Sequence, residues 1–151
     1  MTLSGTAESL TGQFHELTEE ECLGLLRSKG LGRVAYDDSG PVVLPVNYVI
    51  DSDTVLFRTS PYSSLGRYVR KGMAAFEVDE INDETHAGWS VLVRGRATYV
   101  EPTELPEVAA RPTSWRDCEG GQSLHVRITP RHISGRRLER GSAASRSGGI
   151  G

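Results

Sequence analysis

The sequence predicts a mainly β domain closed into an antiparallel barrel, and three observations predict it. Short strand-like segments recur along the chain, separated by turn residues. Only two or three stretches carry helical periodicity, so the helix between strands that a doubly wound sheet needs is missing. The early connections, Asp38-Ser39-Gly40-Pro41 and Asp51-Ser52-Asp53, are too short for the crossovers that join parallel neighbours.

The elements follow in order. Residues 1–16 are polar and aperiodic, which predicts a flexible N-terminal arm over 1–15 and a domain that begins at 16. Thr18 opens a helix: Thr18 and Glu21 have capping-box spacing, Glu19 and Glu20 suit its positive end, and Gly30 can close it. Leu23, Leu26 and Cys22 form its apolar stripe. Arg33–Asp37, Val42–Ile50 and Thr54–Thr59 then read as a strand meander. Pro45 removes a ladder donor from its strand, so an edge or a bulge is expected there.

Ser60 suits an N-cap and Pro61 a first helical position, predicting a short helix to about Arg70. Met73–Asp79 is a strand, and 81–88 a polar loop. Trp89–Val100 is the longest strand, with Trp89, Val91, Val93, Gly95, Ala97 and Tyr99 on one face. Residues 101–123 hold a short helix and a loop at most. Leu124–Thr129 and His132–Leu138 read as two strands divided by Pro130, ending the domain at 138. Residues 139–151, rich in Gly, Ser and Arg, are expected to be a disordered tail.

Composition bounds the function classes. With 151 residues, 37% hydrophobic and 25% charged, the chain has the profile of one ordinary globular domain. It has no apolar run long enough to span a bilayer and no basic, apolar start, so a cytoplasmic protein with no membrane association is expected. A net charge of −3 supplies no field for nucleic acid. Cys22 and Cys118 stand far apart with no CxxC pairing, and the histidines 15, 86, 125 and 132 lack ligand spacing, so no metal site is predicted. Surface or loop positions suit all of these histidines except His125.

Gly30-Leu31-Gly32-Arg33-Val34-Ala35 matches the G-x-G-x-x-A dinucleotide fingerprint. That motif works only with a strand before it and a helix after it, which sets the pyrophosphate on the helix N-terminus. Here a helix precedes and a strand follows, so the dinucleotide reading is rejected.

Three stretches together carry a more specific likeness. They are Val43-Leu44-Pro45-Val46-Asn47-Tyr48, Val55-Leu56-Phe57-Arg58-Thr59-Ser60-Pro61, and Gly88-Trp89-Ser90-Val91-Leu92-Val93-Arg94-Gly95-Arg96-Ala97. In order and spacing they resemble the pyridoxamine 5′-phosphate oxidase-like split barrels that bind FMN, over roughly residues 15–138. The resemblance implies a homodimer with FMN held between subunits. It places the phosphate against Arg58, Thr59, Ser60, Ser63 and Ser64, and the flavin ring along Pro45, Val46 and Asn47. Trp89 and Ser90 match positions that approach the flavin, often across the dimer.

The chemistry of these residues is compatible with that assignment. An arginine offers a bidentate fork to phosphate, hydroxyls donate further bonds, and a helix start adds unpaired amides. Two readings stand for Trp89, a ring stacked on a flavin or a core tryptophan, and for Arg58 the alternative is a solvated strand residue. Trp115 is a weaker lid candidate, and Glu77 and Asp79 read as solvated strand residues. Relatives carry a basic residue where this chain has Ser63-Ser64, which implies either weaker phosphate binding or substitution by Arg67 or Arg70. Arg127, Arg131 and Arg137 are the candidate grips for a substrate phosphate, without a clear motif.

Three functions follow from the resemblance: an FMN-dependent oxidoreductase of unknown small-molecule substrate, a non-catalytic flavin or haem carrier or sensor, and a B6-phosphate binder. A variant of the first uses the deazaflavin F420, whose acidic tail would meet the arginines at 67, 70 and 96. No side chain stands out as catalytic.

Overall fold

The computed structural model describes residues 12–60, 65–66, 72–107 and 124–140. The main elements in these segments are β1 (Gly12–Glu16), α1 (Glu19–Arg27), β2 (Leu31–Asp37), β3 (Pro41–Asp51), β4 (Thr54–Thr59), β5 (Met73–Ile81), β6 (Gly88–Tyr99) and β7 (Leu124–Arg140), with a 3-10 turn at Pro102–Glu104. The sheet runs β1-β7-β4-β3-β2-β5-β6, and β7 also pairs with β6, which closes six antiparallel strands into a barrel. The barrel expected from the pattern of the chain is the one formed.

Helix α1 plugs one end of the barrel. Its capping box is complete, with the Glu21 amide donating to Thr18 Oγ1 at 3.2 Å and the Thr18 amide to Glu21 Oε1 at 3.3 Å. Cys22 and Leu26 are fully buried against the core, and the Tyr48 hydroxyl donates to the Leu26 carbonyl. Inside the barrel, Val34, Phe57, Phe76, Val91, Val93, Val126 and Ile128 are all inaccessible to solvent. On β6 the inward set starts at Trp89 and continues through Val91, Val93, Gly95 and Ala97, as the alternation predicts.

Three expectations are corrected. The N-terminal arm is not loose throughout: Gly12–Glu16 pairs with Arg140–Arg136 as β1. A polar stretch forms a strand here because the far half of β7 offers it a free edge, satisfying its backbone without apolar alternation. The same pairing carries Glu139 and Arg140, expected in the tail, into β7.

Residues 124–129 and 132–138 form one strand rather than two. Gly95 pairs with Pro130 and Arg94 with His132, so Arg131 is the extra residue of a β-bulge. A bulge tolerates the missing proline donor that would break a regular ladder. Of the helix expected over 60–70, Leu65 and Gly66 are helical, Leu65 is buried, and the Gly66 carbonyl accepts from the Tyr99 hydroxyl.

Candidate functional site

The site begins where β3 changes neighbours. Pro41–Asn47 pairs with β2, whereas only Tyr48–Asp51 pairs with β4. Beyond the Tyr48–Phe57 pair the two strands part. Asn47, Pro45 and Val43 run along one side of the resulting seam, and Arg58 and Thr59 along the other. The edge expected at Pro45 is therefore present: its ladder is to Arg33 of β2, and no described strand pairs with its other side. A proline costs nothing on that open side.

Alternation decides which side chains meet. Val46, Tyr48 and Phe57 point into the core, so Pro45, Asn47 and Arg58 share the outer face. Val46 can offer only backbone to a ligand there, because its side chain is buried with the core. Arg58 is half-buried, and its Nε has no hydrogen-bond partner among the described residues and no contact with solvent. Leu56, two residues earlier on the same face, is fully buried. A guanidinium nitrogen left unpaired in such surroundings costs free energy that an incoming anion would recover.

Thr59 and Ser60 follow directly and are half-buried. Ser63, Ser64, Arg67, Arg70 and Trp115 lie outside the described residues. The seam thus brings Pro45, Asn47 and Arg58 to one face, with Thr59 and Ser60 next to Arg58 in the chain, and leaves Trp89 and Ser90 apart.

Trp89 is 7% exposed and belongs to the barrel core, which decides between its two readings for the single chain. Ser90 faces outward and pairs with Arg136, eleven residues along β7 from His125, the neighbour of Arg58. That separation is on the order of 30 Å at about 3.3 Å per residue. Within one chain, Ser90 and Arg58 therefore sit beside opposite stretches of β7. Ser90 instead lines an open groove of about 590 Å³ with Phe14, Leu92, Ser134 and Arg136.

Arg127 is also placed differently from its expected role as a substrate grip. Its guanidinium donates to Asp51 Oδ2 at 3.0 Å, to the Asp51 carbonyl at 3.3 Å and to Thr54 Oγ1. It clamps the β3–β4 turn to β7 and so fixes the corner from which Arg58 projects. Neither Asp51 nor Thr54 carried a sequence signal for this, since the contact joins residues 76 positions apart.

The chain's relatives can now be set beside this geometry. Residues 18–137 match the family model of pyridoxamine 5′-phosphate oxidase. The chain belongs to this family. An FAD-binding protein of Mycobacterium smegmatis is 34% identical, with a TM-score of 0.68 over 82% of this chain and 98% of that one. A pyridoxamine 5′-phosphate oxidase-type protein of Corynebacterium glutamicum is 30% identical, with a TM-score of 0.64 over 85% and 95% of the two chains. An uncharacterised protein of Mycobacterium tuberculosis is 33% identical over 102 residues, a match that spans 64% of this chain and 65% of that protein's length.

As a pyridoxamine 5′-phosphate oxidase family barrel, the chain carries one more charged cluster on its outer face. Arg33 on β2 reaches Glu77 Oε2 at 3.5 Å and Asp79 Oδ2 at 3.3 Å on β5. Burial pushes the Glu77 carboxyl up to about 7, with the hydrogen bond and charge of Asp79 adding to the rise and Arg33 opposing it. Glu77 is therefore not the solvated strand residue expected from sequence: its Oε1 is buried and unpaired among the described residues.

A carboxyl raised by folding holds its proton in the native state across the window from 4.5 to about 7. Stability associated with Glu77 is then complete below that window and lost as pH rises through it. Glu77→Gln should melt a few degrees higher than the parent at about pH 8 and the same near about pH 5. Equal melting shifts at both pH values would contradict this assignment.

No described helix is long and apolar enough to cross a membrane. No group of histidine, cysteine and carboxylate residues suited to a metal ion occurs among the described residues.

Proposed function

We propose that the chain is a flavin-binding protein, an FMN- or FAD-dependent oxidoreductase with a small-molecule substrate, working as a homodimer with the flavin between subunits. The observation that carries this reading is the buried, unpaired Nε of Arg58 on the outer face of the β3–β4 seam. A phosphate oxygen is the ligand atom that such a nitrogen best accommodates.

Each residue then has a task. Arg58 grips the anionic tail, assisted by the hydroxyls of Thr59 and Ser60. The open β3 edge at Pro45–Asn47 offers backbone groups, and Asn47 an amide, to the polar rim of a flat ring. A bound flavin supplies hydride or electron transfer, so the protein needs no acid or base of its own. What the protein contributes is orientation, and the Arg127 clamp holds the corner rigid.

Two observations support a second copy. Leu31, Val43, Met73, Ile81 and Leu92 are large, exposed and all on the outer face of the β2, β3, β5 and β6 wall. Exposed apolar side chains on one wall, here interspersed with the Arg33, Glu77 and Asp79 cluster, favour an association surface. The second observation is that Ser90 and Arg58 sit beside opposite stretches of β7, an arrangement that favours two chains contributing to one cofactor site. The flavin-binding relative in Mycobacterium smegmatis supports the choice of cofactor class.

The test is the visible spectrum of the purified protein, alone and after addition of FMN, FAD, F420 or haem, paired with its mass in solution. A flavin spectrum from a dimer is expected. A chain that binds none of the flavins, or binds one as a monomer, overturns the reading. Bleaching by a nicotinamide donor and reoxidation by an acceptor separate an oxidoreductase from a carrier or sensor.

A further inference from the structure

We infer that His125 is a second cationic contact for the anionic tail, one that makes binding tighten as pH falls; this rests on the flavin reading above. His125 on β7 stands directly opposite Arg58 on β4. Its neighbour Val126 points into the core, as Phe57 does, so His125 and Arg58 project from the same outer face. Side chains directly opposite on antiparallel strands have Cβ atoms about 4.5–5.5 Å apart. The two groups can therefore reach one phosphate together. His125 Nε2 is buried, as Arg58 Nε is.

Charge bookkeeping points the same way. Two cations directly opposite on a ladder repel, and an anion between them reverses the sign. Among the described residues, the other charged groups near this corner face other partners or solvent. Arg127, the next outward residue on β7, is held by Asp51. Just past the end of β6, the amide of the uncharged Val100 donates to the His125 carbonyl at 3.0 Å, and Thr98 is the last outward residue of β6. Glu101, just after Val100, is exposed. Arg58 and His125 are thus the described pair of basic groups facing the seam from β4 and β7.

Histidine is the side chain whose ordinary titration falls between about pH 5 and 8. An anion beside it favours the imidazolium, so binding takes up a proton and affinity rises on acidification. Arg58 supplies the constant part of the grip and His125 the adjustable part.

The experiment titrates the full chain with FAD, whose pyrophosphate keeps its charge over this range, and with riboflavin, which has no phosphate. Between about pH 8 and about pH 5.5, FAD affinity should rise about five- to tenfold while riboflavin affinity stays flat. His125→Gln should abolish the rise, and His125→Arg should bind FAD tightly at both pH values. A slope that survives in His125→Gln overturns the inference while leaving the flavin reading intact. A parent chain that binds neither FAD nor riboflavin overturns both. Should the variants not fold, the His125 ring signal of the parent is followed by NMR with and without pyrophosphate. An upward shift of its titration supports the contact, and an unmoved titration overturns it.

Discussion

Arg58→Ala should weaken FMN binding by about ten- to a hundredfold, the loss expected for one or two charge-assisted hydrogen bonds at roughly 1.5–3 kcal/mol. Riboflavin, without the phosphate, should bind the variant within about twofold of the parent. The free protein should be no less stable, because the unpaired Nε contributes nothing that its removal can take away. Arg58→Lys should fall between the two, keeping the charge but losing the planar fork. Fluorescence titration reads each of these affinities. An Arg58→Ala affinity equal to the parent's would move the anion site elsewhere on the barrel.

The second large effect is on stability. Gly95→Val should lower the melting temperature by about 6–12 °C, the shift expected when roughly 3 kcal/mol is lost from a domain of this size. A Cβ built at Gly95 lies 1.9 Å from the Thr129 carbonyl oxygen and 2.7 Å from its carbon, and both are backbone atoms. A flexible side chain could swing aside, whereas this contact can be relieved only by prising β6 from β7. Those strands close the barrel, and the bulge sits at the same point. Gly24→Ala is the control: nothing lies within 4 Å of its added carbon, and α1 gains a better helix former. A Gly95→Val variant as stable as the parent would show that the bulge can migrate along β7.

Much of the fold was legible because its signals are local. The capping box at Thr18 and Glu21, the turns at 38–41 and 51–53, and the alternation from Trp89 to Tyr99 each depend on neighbours in the chain. Strand β1 was not legible, since the strand it pairs with among the described residues is the distant half of β7. The split of β7 at Pro130 was misread for a related reason. Proline ends a strand unless a bulge receives it, and the bulge is defined by Arg94 and Gly95 on another strand.

The seam shows the same boundary. Pro45 signalled an open edge by its own chemistry, and the likeness to a known family supplied Arg58. That Arg58 leaves a buried nitrogen unpaired, and that His125 faces it, depend on strand register, which no motif records. The tie from Arg127 to Asp51 and Thr54 is likewise a product of closure. For Trp89, the structure places the ring in the packed interior of the single chain, a position that depends on barrel closure.

Strand β7 has a consequence for biosynthesis. It is the last strand of the barrel in chain order, and it zips to β4, β6 and β1, three segments made long before it. Until residues 124–140 leave the ribosome, the edges of β4 and β6 have no mate, and such edges recruit strands from other molecules. A nascent chain stalled before Leu124 is therefore a sticky sheet fragment rather than a smaller version of the protein. Translation past that point gives the edges of β4 and β6 their mate in one late event, leaving the short open stretch of β3 at the seam.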